Sequence, residues 1–396
     1  MTTAGAAELV RRPDGSTRAT LLELLFDVVF VASLALTSML LARADTWAST
    51  AQVLLMLAAI WWTWSITSTT TDFYEPERRP IQAILMVTML GAVGMAVALP
   101  LASDRHALIF AAAYVIPHVV RGLVLVSVLH RHRHRHRHLR RAQQRAARFL
   151  FWFLASGVLW ITGALLAPSR WTCWTIAVVI DYVSAAARYP TPGLGRVPVE
   201  QYEKTTEHLA ERYQQFIILA LGDIILVPIL EISDEKFTPA RLGAFLAIFV
   251  TMLLLWQMYV FGAGVLRRPV SARELGVAAR LGPYTHLVML AGIVWTAAGA
   301  DLVVADPTGP SSLRRVALTF GGPAVFLIGR TLFTYLIAGH LPLHRVGWLV
   351  LLPLVPWAVH WPPVLVTVVA VVVLAAVAAG DALRREPTAY RRRAGR

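Results

Sequence analysis

Glu23 and Asp27 stand four residues apart in the apolar run Leu21–Ala42, so on a helix their carboxylates share one face. An ionised side chain buried in hydrocarbon costs about 2.5–3.5 kcal/mol on insertion scales, so such residues pair with one another and face inward. A rise of 1.5 Å per residue gives each charge a depth. Glu23 and Asp27 lie on the order of 3 and 9 Å into their run, Arg121 about 12 Å and Asp181 about 9 Å from the ends expected on the same side. With His118 one turn from Arg121, these five residues are expected to form one buried polar cluster. Further along, His208, Glu211 and Arg212 are spaced to touch at i+3 and i+4, and Arg330 sits at the depth that makes Glu211 its natural partner. These four form the second expected cluster. Asp223 lies on the face of Arg212, about 24 Å along its run, where nothing basic obviously neutralises it. Asp301 is its nearest acidic companion by depth, a pairing that suits a cation or a shared proton.

Buried carboxylates can carry protons or bind cations, and buried arginines can hold them or bind an anionic solute. The structural alternative is that the Glu–Arg pairs are staples that lock helices into one bundle. That alternative is weakest for Asp223. The sequence contains no H-E-x-x-H, Ser-nucleophile or Walker motif, so no catalytic residue, resident metal or cofactor is expected and the chain does not read as an enzyme. His286 and His360 lie near the ends of apolar runs and read as interfacial. Trp47, Trp61, Trp62, Trp64, Trp152, Trp160, Trp171 and Trp174 read as interfacial belts and helix packing.

The elements that must position these groups follow from composition. The chain is 57% hydrophobic and only 15% charged, with a mean hydropathy of +0.60. A bilayer accepts so apolar a surface and water does not. The net charge of +14 lies almost wholly in short loops and tails, which argues for a lipid partner and against nucleic acid. The lone cysteine, Cys173, excludes an internal disulfide. The first run carries Glu23 and Asp27 and lacks a small-residue cleavage site, so it reads as a retained helix.

Pro, Gly and charge bound twelve runs of roughly span length. The first six are Leu21–Ala42, Ala51–Thr71, Ile81–Leu99, Ala107–Leu129, Phe149–Ala167 and Trp171–Ala187. The second six are Glu207–Glu231, Pro239–Gly262, Pro283–Val303, Val316–Ala338, Val346–Trp361 and Pro362–Leu383, the last two alternatively forming one re-entrant hairpin. With both termini cytoplasmic, 27 of the 37 basic residues fall on cytoplasmic segments and 7 on external ones. That bias sets the orientation. The stretch His130–His138 alternates His and Arg within a basic loop, 130–148. Metal or anionic lipid are its functional readings, but interleaved arginines repel a divalent cation, so the loop is expected to fix topology.

The two halves share landmarks: a glutamate opening each (Glu23, Glu211), Trp followed by Arg-Arg-Pro (Trp64 and Arg78–Pro80, Trp256 and Arg267–Pro269), and one arginine in each fourth run (Arg121, Arg330). The expected fold is therefore an all-α membrane bundle of about twelve helices in two parallel six-helix pseudo-repeats. The order is a tail at 1–20, a first repeat at 21–187, a linker at 188–206, a second repeat at 207–383 and a basic tail at 384–396.

Glu23-Leu-Leu-Phe-Asp27-Val-Val-Phe-Val31 resembles the opening E-L-F-F-D-L-V-F-V of the bacterial low-temperature-requirement A (LtrA) family. His208-Leu-Ala-Glu211-Arg212-Tyr and Leu221-Gly222-Asp223-Ile224 resemble its H-L-x-E-R-[FY] and L-G-E-[ST] motifs. Asp223 departs from the usual glutamate and Ile224 from the usual small hydroxyl residue, which keeps the charge and shortens its reach. The resemblance implies a multi-pass protein of the bacterial cell membrane and names no reaction. Phe26-Asp27-Val-Val-Phe30 also resembles the F-S-D-x-V-F opening of a potassium-channel family built from two six-helix repeats. The leading functional expectation is a secondary transporter or ion-translocating protein that moves a small ion or solute by way of its buried carboxylates. A two-repeat cation channel, or a non-transporting structural or sensory protein of cold or membrane adaptation, are the alternatives.

Overall fold

In the computed structural model, residues 9–11, 18–102, 104–131, 137–202, 207–234, 238–262, 272–339, 345 and 355–383 are described. Among them the chain is helical, with two isolated β-bridges, Val10 to Tyr74 and Thr191 to Gly195. The helices are α1 Leu21–Arg43, α2 Trp47–Phe73, α3 Arg79–Ala98, α4 Ala107–His130, α5 Arg137–Leu165 and α6 Arg170–Ala186, then α7 Glu207–Leu221, α8 Asp223–Asp234, α9 Pro239–Gly262, α10 Ala272–Ala305, α11 Leu313–Ala338 and α12 Pro363–Leu383. Ten candidate spans, with α7 and α8 counted as one, are long and apolar enough to cross a membrane. With backbone polar groups satisfied inside each helix, this is a multi-pass membrane protein. At 17 residues α6 is about 26 Å long, just short of the hydrocarbon thickness.

Several boundaries differ from those expected. Helix α5 starts at Arg137 rather than Phe149, because Leu139, Ala142 and Ala146 give its basic first turns a buried face. Helix α10 starts at Ala272, and Pro283, expected to open it, lies inside it. Most of the expected run Val346–Trp361 lies outside the described residues, which show one helical turn there, Val355–Ala358. The alternating His/Arg residues 132–136, the last linker residues 203–206 and the tail 384–396 also lie outside them.

The chain divides into two compact units. The first comprises Met1–Thr37, Asp45–Phe216 and Ser271–Pro283; the second comprises Ser38–Ala44, Ile217–Val270 and Tyr284–Arg396. In the first unit Leu9–Arg11 lie along the end of α2: Arg11 N donates to Phe73 O at 3.1 Å and Glu75 N to Leu9 O at 2.9 Å. Leu9 is buried with Phe73, Tyr74, Leu129 and Leu139, so the N-terminal segment, the α2–α3 turn and the α4–α5 hairpin share one end of this unit. The linker joins them there, since Arg145 donates to Gln201 Oε1 at 3.1 Å and Arg148 Nε to Gly195 O at 3.1 Å.

In the second unit α10 and α11 approach closely through glycines seven apart. A Cβ at Gly329 would lie 2.7 Å from Met289 N, and one at Gly292 would overlap the Phe326 backbone. Close backbone approach through small residues is the usual route to helix association where lipid leaves no hydrophobic drive. Gly292→Leu is expected to destabilise the protein by about 3 kcal/mol or more, read as a lowered Tm in detergent. Gly243→Leu, at a position with open space around it, should leave Tm unchanged. Equal behaviour of the two variants would contradict this packing.

Candidate functional site

Thr20 and Glu23 open α1 with a reciprocal cap: Thr20 N and Oγ1 donate to Glu23 Oε2 at 2.9 and 3.0 Å, and Glu23 N donates to Thr20 Oγ1 at 3.3 Å. This capping box fixes the glutamate in the first turn, where a negative charge suits the helix dipole. Asp27 follows one turn deeper on the same face. Opposite them, the first turns of α7 present His208 and Arg212, also four residues apart. One i, i+4 pair thus meets another. His208 Nε2 lies 3.3 Å from Glu23 Oε1 and Oε2. Arg212 donates to Asp27 through both terminal nitrogens, at 2.9 and 2.7 Å, with its Nε 3.9 Å from Glu23 Oε1.

Two residues of α2 complete the network. Trp64 Nε1 donates to Asp27 Oδ1 at 2.8 Å, and Asp72 Oδ1 lies 3.8 Å from His208 Nδ1. Glu23, Asp27, His208 and Arg212 are each 0% exposed and Asp72 3%. Aromatic rings wall the site: Trp61 stacks on Trp64 with centroids 4.9 Å apart, and Tyr213 and Phe216 pack against both. In so dry a setting a bidentate Arg–carboxylate pair is held rigidly, because breaking it would strand two charges. His208 thus has a carboxylate on each side of its ring.

The first expected cluster is thereby divided. Glu23 and Asp27 turn to α7 instead of to Arg121. Arg121 donates to His118 Nδ1, one turn away as expected, and to Thr67 Oγ1 at 3.3 Å. Since a guanidinium can only donate, His118 accepts at Nδ1 and presents its Nε2–H to Thr63 Oγ1 at 3.2 Å. Asp181 accepts from Tyr114 Oη at 2.6 Å. Of the second expected cluster, His208 and Arg212 belong to the first unit with Glu211, and Arg330 to the second. Glu211 is half-buried and accepts from Gln215 Nε2 at 3.1 Å. Arg330 is buried with Nη1 3.5 Å from Thr334 Oγ1, over the rings of Tyr259 and Phe333.

Asp223 is 1% exposed and opens α8 directly after Gly222, where the span breaks between α7 and α8. Ser38 lies beside it, and among the described residues neither of its buried carboxyl oxygens meets a hydrogen-bond donor or a basic side chain. Asp301 lies half-buried on α10. His286, expected at an interface, is instead buried, 3.3 Å from Tyr259 Oη, while His360 is exposed. Trp61, Trp62, Trp64, Trp160 and Trp174 are core residues rather than belt residues; Trp47 is 74% exposed. The described residues contain no group of three or more His, Cys, Asp or Glu placed to hold a metal ion.

Asp72 and Trp64 are the participants that sequence reasoning missed. Asp72 lies just outside the expected run Ala51–Thr71, yet α2 continues through Phe73 and carries it into the site. The readable signal is the unbroken polar stretch Thr67–Asp72 at the end of an apolar helix, most of it buried.

The model of the family described as bacterial low temperature requirement A protein (LtrA) matches residues 18–379. A protein of Rhizobium meliloti (strain 1021), "Uncharacterized protein RA0937", is 32% identical over 318 residues, covering 79% of this chain and 76% of that one. No solved structure matches.

Proposed function

Because the chain belongs to the bacterial low temperature requirement A (LtrA) family, for which the match names a phenotype and no reaction, we propose that it is a secondary transporter or ion-translocating protein. Its coupling site is the network of Glu23, Asp27, Asp72, His208 and Arg212. The observation that carries this reading is the imidazole of His208 fully buried between two carboxylates, beside a third that is held by arginine. Buried ionisable groups that exchange a proton are how many membrane carriers couple flux to a gradient. Glu23 and Asp72 would pass a proton by way of His208, while Arg212 grips Asp27 through both terminal nitrogens and holds the helices in place. The break at Gly222, with Asp223 at the start of α8, adds support, because discontinuous spans commonly form binding sites in carriers.

The same reading takes the twelve-span arrangement as two parallel six-helix repeats with both termini cytoplasmic. It assigns no enzymatic activity, takes a small ion or solute as substrate and the bilayer as partner, and involves no nucleic acid. Proteoliposomes loaded with a pH-sensitive dye test it. A proton or potassium flux above protein-free vesicles, reduced in Asp223→Asn, is the expected result; no flux across a broad ion and solute screen would overturn it and favour a structural or sensory role.

A further inference from the structure

At the end of the first unit where the N-terminal segment and the linker meet, α2, α4 and α5 leave a narrow cleft lined by Thr70, Phe73, Tyr74, Arg121, Arg145 and Phe149. Two of these are arginines, 2% and 8% exposed. Burying a cation costs several kcal/mol unless an anion meets it. Among the described residues neither guanidinium lies within ion-pair distance of a carboxylate. Arg121 is occupied by Thr67, His118 and the Phe153 ring, and Asp181, the acid nearby, is bonded to Tyr114. Arg145 Cζ lies over the Phe73 ring, 3.7 Å from its centroid, with one nitrogen on Gln201.

None of these partners removes the positive charge. His118 is held neutral by accepting from Arg121, since a second proton would face the guanidinium. Burial pushes the Tyr202 phenol, which senses the Arg145 charge, up to about 12, so it too stays neutral. Arg148, one turn beyond Arg145 on α5, adds a third guanidinium, which among the described residues donates to the carbonyls of Leu194 and Gly195. Among the described residues these three cations have neutral hydrogen-bond partners at one end of a helix bundle, which makes an electrostatic sink.

We propose that this cleft is an oxyanion site, in which a phosphate group bridges the guanidiniums of Arg121 and Arg145. Arginine's planar fork matches the paired oxygens of a phosphate, and the Phe73 ring beneath Arg145 helps hold that fork in place. The phosphate would belong either to a free anion or to the headgroup of an anionic lipid entering from the leaflet at that end. The proposal stands apart from the transport reading, because none of its residues belongs to the carboxylate network.

Calorimetric titration of the purified full-length protein with inorganic phosphate tests the free-anion source. Native mass spectrometry from bilayers mixing phosphatidylglycerol and phosphatidylcholine tests the lipid source. Binding in one of the two assays is expected, weakened about tenfold or more, equivalent to about 1.4 kcal/mol, in Arg145→Gln. It should be unchanged in Arg137→Gln, an exposed arginine of the same helix. Arg145 sits at the rim of the core, so its variant is expected to fold, and a matching Tm verifies this. Two results overturn the proposal: wild-type protein that neither binds phosphate nor retains the anionic lipid in preference, or equal binding by the two variants.

Discussion

Arg212→Gln is expected to destabilise the protein by about 3–5 kcal/mol, the usual result of removing one partner from a buried charge pair. Asp27 would lose both guanidinium bonds and keep only Trp64 Nε1, at 2.8 Å, as a donor. Glu23 would lose the nearby charge of the arginine as well. The paired substitution Asp27→Asn with Arg212→Gln leaves neutral groups of similar size, and should recover more than half of the loss. Thermal or denaturant unfolding in one detergent gives all four corners of this double-mutant cycle. A coupling below about 1 kcal/mol, the range of an exposed pair, would contradict the buried bidentate geometry.

His208→Gln is expected to act on flux rather than on fold. Glutamine can keep an N–H directed at Glu23 and nearly fills the imidazole's volume, but it cannot accept and release a proton. Flux through proteoliposomes should fall at least about tenfold, as removal of a proton-transfer group does elsewhere. Its Tm should drop far less than that of Arg212→Gln. A variant that retains flux within twofold of wild type would remove His208 from the pathway and leave the cluster with a structural role.

The spans were legible because hydrocarbon thickness dictates run length, and Pro, Gly and charge mark the ends. The interior of the site was legible only in part. Period 3.6 places Glu23 with Asp27, and His208 with Arg212, and both pairings hold. Depth along a helix can be computed from chain position, but which helix stands next to which cannot. Arg121, at a suitable depth on α4, is therefore expected in one cluster with Glu23 and Asp27, whereas α7 supplies Arg212. Glu211, chosen by its height, accepts from Gln215 one turn along its own helix.

Helix ends were the other source of error. A span criterion stops where hydropathy falls, but a helix continues as long as its backbone bonds and one buried face persist. Asp72 reaches the site on such an extension of α2, and Arg145 lines its cleft on the extended start of α5. Tryptophan is ambiguous in the same way, since an amphipathic ring suits both an interface and a polar core. Trp64 is in the core because its indole N–H finds Asp27.

The central claim is that the buried carboxylate–histidine network exchanges a proton while the fold stays intact. Infrared difference spectroscopy of the reconstituted protein across a pH step addresses this most directly. The wild type is expected to show a protonated-carboxyl band that changes reversibly and is lost or displaced in Glu23→Gln. Spectra of wild type and variant that coincide through the carboxyl region would show that Glu23 carries no exchangeable proton, and the network would then be a staple alone.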